Sequence, residues 1–330
     1  MTSTPILPRR HLLIGMALAV LSCAVAPAGV AQTPTPAWPT KPVRLIAAFP
    51  PGTPGDVIAR LLQPGLQQKW GQTVVVENKP GAGGNLAAAE VARATDGHTF
   101  LVGPDTILTI NPHVYKKLPF SLQEGLKPVT YFASFNQMLA CNNDSGVKTL
   151  ADFRKQPASK MYASGGAGTP SHMTMALLLD TAKTELVHVP YKGPGPAAQD
   201  VMAGHVNCGF IVSSLLIQHV QSGRLQAVAV SSAQRSVLLP NVPTIAELGY
   251  AGFDATFYET LMAPSSADAA VVGKVQQDVA SLLSAPELKG RLSEMDLRVV
   301  ANTPKEAEQR RGVDFAKWGT VAARAKLQLD

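Results

Sequence analysis

Short runs of apolar and β-branched residues alternate along this chain with stretches in which apolar residues recur every three or four positions. The first clear pair is an apolar run at 43–49, followed after a loop by an amphipathic stretch at 56–70. This order of strand, loop and helix recurs to about residue 230 and favours a largely parallel α/β sheet. Further predicted strands are 73–77, 99–102, 138–142, 186–189, 206–212 and 225–231, and the predicted helices are 86–94, 149–155, 171–181, 197–203 and 215–222.

The C-terminal part of the chain changes character. It predicts helices at 268–283 and 303–325, with only a short β-like piece at 297–300 between them. Thr303 and Glu306 match a capping box, and Pro304 occupies the first helical position, so a helix is expected to begin there. The chain is long enough for two domains, each with its own core.

Residues 1–31 predict an export signal peptide and are set apart from the fold. Arg9 and Arg10 form a basic start, residues 12–21 form an apolar stretch too short to span a bilayer comfortably, and residues 29–31 are small enough for cleavage. The arginine pair also resembles a twin-arginine signal, so that route and the general secretory route both stay open. Cys23 follows a near match to a lipoprotein box, which leaves lipidation open. We expect a protein that is soluble outside the cytoplasm.

Charge and cysteine content exclude several classes of function. Without the two signal arginines, 27 of the 29 basic residues remain against 23 acidic ones, a mild net charge of +4. The basic residues are scattered, so no nucleic-acid partner is expected. Cys141 and Cys208 each lie in an apolar run; we expect buried free thiols, although an oxidising compartment also permits a disulfide. The sequence has no CxxC motif or Cys/His cluster, so neither a metal nor another cofactor is expected.

The segment 49–56, Phe-Pro-Pro-Gly-Thr-Pro-Gly-Asp, joins the first predicted strand to the first predicted helix. Gly52 and Gly55 allow close backbone approach, while the prolines stiffen the loop. Backbone N–H groups at a helix N-terminus, together with the positive end of the helix dipole, favour an anion. The loop therefore predicts a cradle for a carboxylate or phosphate, with Asp56 at the N-cap; a plain capped connection is the alternative.

A second glycine-rich junction, 162–172, places Ser164, Thr169 and Ser171 beside glycine N–H groups. It suits a second carboxylate or another polar group of a ligand. Ser171 next to His172 also suggests a secreted serine hydrolase, but neighbouring residues of a helix diverge on its surface and the sequence has no GxSxG elbow. We expect His172 to anchor the loop by hydrogen bonds.

Other candidate positions carry weaker signals. The segment 81–86 resembles a dinucleotide fingerprint but lacks its third glycine and the acid that should follow, so a turn and a helix start are expected. Lys192, in the loop 189–196, either faces an anionic ligand or is solvated. Asp105 and Glu259 are carboxylates that could approach a cleft between two lobes.

These loops, taken together and in order, resemble the extracytoplasmic solute-binding receptors of the tripartite tricarboxylate transporter family, the Bug receptors. The resemblance runs from Trp38 to about Leu327, and it is specific because many segments match in order. The matching segments are WPTKPVR at 38–44, FPPG at 49–52 with Asp56, VVENKPGAGGN at 75–85, INP at 110–112, YAS at 162–164 with GT at 168–169 and SH at 171–172, HVPYKG at 188–193, and PNVPT at 240–244.

The resemblance implies an α/β fold of the two-lobed periplasmic binding protein kind, type II-like, with the ligand cleft between the lobes. Lobe one is expected at 38–130 plus 253–330 and lobe two at 131–252. The implied function is that of a periplasmic receptor, not an enzyme, which closes on a small-molecule carboxylate and delivers it to the membrane permease subunits of the transporter. We expect a monomer. A receptor that signals to a membrane sensor stays open as an alternative.

The chain departs from the family pattern within the expected site. Thr53 replaces a common glycine, Ile211 and Val212 replace an acid and an amide, and Tyr258 replaces a tryptophan. The missing acid disfavours an amino-acid ligand, and an apolar wall of Phe210, Ile211, Val212, Phe257 and Tyr258 suggests an aromatic or apolar (di)carboxylate; core packing of these residues is the alternative. The expected ligand-binding residues are Phe49, Pro50, Gly52, Thr53, Pro54, Asp56, Thr106, Ser164, Gly168, Thr169, Ser171, Phe210, Ile211 and Tyr258.

Overall fold

A computed structural model of the chain describes residues 38–121 and 125–329. The predicted signal peptide, with its arginine pair and Cys23, lies outside the described residues. The strands are β1 Val43–Ala47, β2 Val74–Asn78, β3 Thr99–Pro104, β4 Leu126–Phe135, β5 Gln137–Asn142, β6 Met161–Ser164, β7 Val187–Pro190, β8 Cys208–Val212, β9 Leu225–Val230, β10 Phe257–Pro264 and β11 Arg298–Val299.

Helices connect most of these strands, as the alternating pattern predicts. The predicted helices are all present within a few residues of their expected bounds, and the short helices α3, α4 and α10 were not predicted. The helices are α1 Pro54–Trp70, α2 Asn85–Ala92, α3 Thr106–Thr109, α4 Asn111–Val114, α5 Leu150–Arg154, α6 Pro170–Ala182, α7 Pro194–Met202, α8 Ser213–Gln221, α9 Ala269–Leu283, α10 Pro286–Ser293 and α11 Pro304–Arg324.

The strands form two sheets, each the centre of one lobe. The first sheet has six strands in the order β11-β4-β10-β3-β1-β2, and the second has five in the order β7-β6-β8-β5-β9. Both are mixed: β1 runs parallel to β2 and β3, whereas β10 runs antiparallel to β3 and β4, and β5 runs antiparallel to β8 and β9. The expectation of a largely parallel sheet was therefore wrong. The missed strands β4 and β10 are buried along almost their whole length, so they lack the polar alternation that marks a half-buried strand.

The chain crosses from the first sheet to the second within one residue. The strand β4 ends at Phe135 and β5 begins at Gln137, so Asn136 alone separates them. The chain returns between β9 and β10. The lobe limits expected from the sequence, 38–130 plus 253–330 and 131–252, stay a prediction.

Each sheet is covered by helices whose apolar face is turned inward. In α1, Ile58, Leu62 and Leu66 are buried at a spacing of four residues, and the helix ends at Trp70 before Gly71, which takes a left-handed φ of 63°. The capping box predicted at the start of α11 is present, because Thr303 and Glu306 bond to each other's backbone N–H groups. Within the described residues, no helix combines the length and the apolar character that crossing a membrane requires.

Cys141 and Cys208 form a disulfide, so the expectation of free thiols was wrong. The two residues are direct partners in the antiparallel pairing of β5 with β8, and their Cα atoms lie 4.0 Å apart. A separation of 67 residues along the chain hides this pairing from the sequence. Both side chains are buried, which joins two central strands of the second sheet covalently.

Candidate functional site

A cavity with about 540 Å³ of open space, its mouth included, lies between the loops of the two sheets. The first lobe contributes residues 47–49 and 53–56, the end of β3 at 102–104, Phe135 and Glu259. The second lobe contributes Gln137, Gly165, residues 169–171, Pro194 and Val212. The cavity is therefore built by strand ends and helix starts, where ligands of α/β proteins gather.

Three helices begin at this cavity. Pro54, Pro170 and Pro194 are the first residues of α1, α6 and α7, and all three line it. Proline has no N–H group, so the first free backbone donors of each helix come from the residues that follow. Because the N-terminal N–H groups of a helix have no partner inside it, the cavity is rimmed by donors and by the positive ends of helix dipoles.

The loop before α1 is fixed by its own hydrogen bonds. Thr53 is the N-cap, and its Oγ1 donates to the carbonyl oxygen of Pro50 at 2.8 Å. The expectation that Asp56 is the N-cap was wrong: the N-cap lies three residues earlier, at Thr53, because Pro54 suits the first helical position. The Asp56 carboxylate accepts hydrogen bonds from the Gly52 N–H at 2.9 Å, the Asn78 side chain at 2.9 Å and the Arg60 guanidinium at 3.0 Å. Asp56 thus holds the loop and is already neutralised by Arg60.

The loop before α6 is held in the same way. Thr169 is the N-cap, and its Oγ1 donates to the carbonyl oxygen of Gly166 at 2.6 Å. Ser171 Oγ accepts from the Gly165 N–H at 2.8 Å and lies 3.1 Å from Thr169 Oγ1. Since the Thr169 proton is used on Gly166, the Ser171 hydroxyl proton is the one available to a ligand or to Thr169.

A stack of buried rings supports this second loop from below. His172 Nδ1 accepts from the Gly168 N–H at 3.0 Å, as the anchoring role predicted from the sequence requires. Its ring stacks on His188 at 3.9 Å, and His188 Nε2 lies 2.6 Å from Ser164 Oγ. Burial lowers the pKa of His172 to about 3 and that of His188 to about 4, so both are neutral at physiological pH. Ser171 and His172 bond to different backbone groups, Gly165 N–H and Gly168 N–H.

The residues that line the cavity carry acidic and neutral groups. Among the described lining residues, none is lysine, arginine or histidine. The walls are mostly aliphatic and aromatic, and the polar side chains are few: Thr53, Asp56, Gln137, Thr169, Ser171 and Glu259. An anion in this cavity is therefore held by backbone N–H groups, hydroxyls and an amide rather than by a basic side chain.

Glu259 is the unusual polar group of the cavity. It lies on β10 with 4% of its surface exposed, and its Oε2 has no hydrogen-bond partner. Its carboxyl group faces the backbone N–H of Gly55, and a Cβ added to Gly55 would lie 2.6 Å from Oε2. Burial raises the pKa of Glu259 to about 8. Sequence reasoning named Glu259 and Asp105 as carboxylates near the cleft, and Glu259 lines this cavity whereas Asp105 does not.

The structure brings some of the predicted site residues together. Those that line the cavity are Phe49, Thr53, Pro54, Asp56, Thr169 and Ser171. Those that do not line it are Pro50, Gly52, Thr106, Ser164, Gly168, Phe210, Ile211 and Tyr258. Gly52, Ser164 and Gly168 act within the two loops, through the bonds to Asp56, His188 and His172 described above. For the residues away from the cavity, a direct contact with ligand stays a prediction.

The predicted apolar wall is placed mostly in the core. Phe210 and Ile211 are fully buried, and Tyr258 stacks on Tyr131 at 5.0 Å with the Arg310 guanidinium 4.7 Å from its ring. Val212 is the member of that set which reaches the cavity. Two lining residues that the sequence did not suggest, Phe135 and Gln137, flank the crossing residue Asn136. The sequence around Phe135 and Gln137 carries no recognisable ligand-binding motif. These residues reach the cleft because β4 pairs with the distant strand β10 and β5 pairs with the distant strand β8.

Two mixed β-sheets, each covered by helices, that face a cleft rimmed by helix N-termini are the architecture of a two-lobed solute-binding protein. The family model for the Tripartite tricarboxylate transporter family receptor matches residues 58–327, and the chain belongs to this family. The family resemblance drawn from the loop motifs is thus confirmed. The two-lobed fold is confirmed as well, by the solved structures to which the chain is similar.

Similar proteins cover nearly the whole chain. The UPF0065 protein in the tcbD-tcbE intergenic region of Pseudomonas sp. (strain P51) is 31% identical over 98% of this chain and 96% of its own. Protein BugT of Bordetella pertussis (strain Tohama I) is 30% identical over 94% of this chain and 98% of its own.

Two solved structures share the fold and hold a carboxylate. R. palustris Rpa4515 with adipate superposes with a TM-score of 0.83 at 28% identity, over 88% of this chain and 100% of that one. MatC (Rpa3494) from Rhodopseudomonas palustris with bound malate gives a TM-score of 0.80 at 27% identity, over 86% of this chain and 99% of that one.

Proposed function

We propose that this protein is a non-catalytic periplasmic receptor that captures a small carboxylate in the cleft between its lobes and delivers it to the permease subunits of a tripartite tricarboxylate transporter. Family membership supports the receptor role and the permease partner. The adipate and malate bound by two similar proteins support a carboxylate as the ligand class.

The convergence of three helix starts on one cavity carries this proposal. The N-termini of α1, α6 and α7 meet at a site whose lining lacks basic side chains among the described residues. Backbone N–H groups held in place by the bonds of Thr53, Thr169 and Ser171 lose little further freedom when they bind an anion. A carboxylate fits these donors, because each of its oxygens accepts more than one hydrogen bond.

The body of the ligand is inferred from the remaining walls. Phe49, Val102, Pro104, Phe135 and Val212 surround the polar rim with apolar surface. Such walls favour a carboxylate whose carbon skeleton lacks hydroxyl groups, since a hydroxyl without a partner costs free energy on burial. We therefore keep the hypothesis of an aromatic or apolar (di)carboxylate, although Val212 is the only residue that this wall shares with the one predicted from the sequence.

A catalytic role has less support than a receptor role. In a serine hydrolase the histidine must accept the proton of the serine hydroxyl. Here His172 Nδ1 is engaged by the Gly168 N–H, and its ring is buried against His188. These contacts support a structural role for His172, which holds the loop before α6 in place.

A ligand screen tests the proposal. Adipate, malate, benzoate and phthalate are added to the purified protein in thermal-shift and calorimetric assays, and native mass spectrometry identifies any molecule carried through purification. We expect at least one acid to raise Tm and Ser171→Ala to weaken its binding. Thr181→Ala, an exposed change at the far end of the same helix, serves as the matched control and should bind like wild type. Stabilisation by malate alone would refute the apolar-body hypothesis, and no binding of any acid would refute the carboxylate receptor.

A further inference from the structure

The Glu259 carboxyl group is buried in the ligand cavity with an unused hydrogen-bonding atom. Its Oε2 is enclosed by protein against Gly55 and has no hydrogen-bond partner among the described residues, while Glu259 as a whole lines the cavity. Gly55 is the second residue of α1, one of the three helix starts that rim the cavity. A ligand carboxylate held at this helix start therefore lies next to Glu259.

The charged groups around Glu259 do not neutralise it. On α1, Asp56 is paired with Arg60 at 3.0 Å, so that guanidinium is already used. At the end of β3, the buried Asp105 adds a second acid, and its pKa is raised well above its usual range by burial and nearby acids, Glu259 among them. Further away, α11 carries three charged residues that face Asp105, namely Arg310, Asp314 and Lys317. On α2, Glu90 is already paired with Arg44 and Lys79.

Two negative charges cannot share this cavity at low cost. An ionised Glu259 beside a ligand carboxylate would place like charges together in a site whose described lining offers no cation. One proton between the two groups removes the conflict, because a neutral acid donates a short, strong hydrogen bond to a carboxylate. Because Oε2 is enclosed against Gly55, the carboxyl oxygen that can carry this proton to a ligand is Oε1, which is not among the enclosed, unpartnered atoms of the described residues.

We propose that Glu259 is a specificity-determining residue of the cleft, which binds as the neutral acid and donates its carboxyl proton from Oε1 to an oxygen of the ligand carboxylate. This inference rests on the proposed function, since it requires a carboxylate in the cavity. The complex then holds one proton and one negative charge across the two carboxyl groups. A ligand that carries a cationic amine at the same point gains nothing from the neutral acid, so the residue selects acids over amino acids.

Because only the protonated form of Glu259 donates to the ligand, the affinity for the ligand depends on pH. Burial raises the pKa of Glu259 to about 8 in the free protein, so the neutral form predominates at pH 7 and requires no proton uptake there. At pH 9 only about one molecule in ten carries the proton, and each binding event takes up a proton from solvent. Affinity should therefore be about tenfold weaker at pH 9 than at pH 7.

The experiment measures binding of adipate, malate, benzoate, phthalate and aspartate by calorimetry at pH 7 and pH 9. Buffers of different ionisation enthalpy report the number of protons taken up, which needs no variant. For the acid that binds most tightly, we expect wild type to lose about tenfold in affinity and to take up close to one proton at pH 9. Glu259→Gln should bind severalfold more weakly at pH 7, because a neutral amide is the weaker donor, and should show neither proton uptake nor pH dependence. Glu287→Gln, an exposed change on α10, is the matched control and should behave like wild type.

Several results would overturn the proposal. An affinity that is equal at both pH values, or a fall that Glu259→Gln reproduces, would show that the Glu259 proton is not used. Tighter binding of aspartate that strengthens with pH and is lost in Glu259→Gln would show an ionised Glu259 paired with an amine. These outcomes leave the carboxylate receptor standing where an acid still binds, whereas no binding of any acid to either protein overturns both proposals.

Discussion

Replacing the buried Glu259 with glutamine should make the protein less sensitive to alkaline pH, whether or not ligand is present. The substitution Glu259→Gln keeps the shape of the side chain and removes its titration. In the wild-type fold, burial raises the pKa of this carboxyl group from 4.5 to about 8. A raised pKa means that the folded state prefers the neutral acid, so the stability it contributes is complete below pH 4.5 and is lost as pH rises towards 8.

The size of the effect follows from the burial of Glu259, which leaves 4% of its surface exposed. Each pH unit between the unfolded and folded pKa values corresponds to about 1.4 kcal/mol in the free energy of unfolding. Wild type should therefore lose about 3 kcal/mol relative to Glu259→Gln by pH 7, and about 5 kcal/mol above pH 8. The glutamine amide also lacks a partner at the Oε2 position, but that cost does not vary with pH and leaves the slope unchanged.

The measurement is denaturant unfolding of both proteins at pH 5, 6, 7 and 8, followed by circular dichroism. Glu287→Gln removes the same charge from an exposed position and should follow wild type at each pH. The titration of Asp105 is present in all three proteins and cancels to first order. A difference between wild type and Glu259→Gln that stays constant within about 0.5 kcal/mol from pH 5 to pH 8 would show that Glu259 titrates normally, and the reasoning from burial would be refuted.

Further consequences concern the framework of the two lobes. Replacing both Cys141 and Cys208 with alanine should lower the free energy of unfolding by about 4 kcal/mol, since a loop of 67 residues is released in the unfolded chain; an unchanged denaturant midpoint would contradict this. The pKa of His172 is lowered to about 3 by burial, so stability present above pH 6.5 should fall by about 1 kcal/mol per pH unit as the solution is acidified, and His172→Gln should flatten that fall in acid-unfolding curves. Thr303→Ala should cost about 1 kcal/mol by removing the capping box of α11, whereas the exposed change Thr320→Ala on the same helix should cost less in thermal melts.

Local sequence was informative wherever an element carries its own boundary signals. The strand β1, the proline-glycine loop and helix α1 were recognisable because an apolar run, stiff loop residues and a spacing of four between apolar positions follow one another. The strands β4 and β10 gave no such signal. They are buried along almost their whole length, so their sequences lack the alternation that burial of a single face produces.

The candidate site divides along the same line. The loops before α1 and α6 were expected from their glycines, prolines and hydroxyls, and both line the cavity through Thr53, Pro54, Thr169 and Ser171. The apolar wall was assigned to Phe210, Ile211, Val212, Phe257 and Tyr258. Of these only Val212 lines the cavity, and the structure buries the others in the core or stacks them on other rings. From a strand sequence alone, the side of the sheet that faces the ligand cannot be told from the side that faces a helix.

By itself, the sequence determined the alternation of strands and helices, the loops that rim the cleft and the family to which the chain belongs. These depend on backbone preferences and apolar spacing over a few residues, and on motifs that stand in order along the chain. The tertiary structure alone decided that Cys141 forms a disulfide with Cys208, that Phe135 and Gln137 line the cleft, and that the Glu259 carboxyl group is buried beside Gly55. Each of these depends on strands paired across long stretches of chain, and the chemistry of a carboxyl group follows from what surrounds it in space.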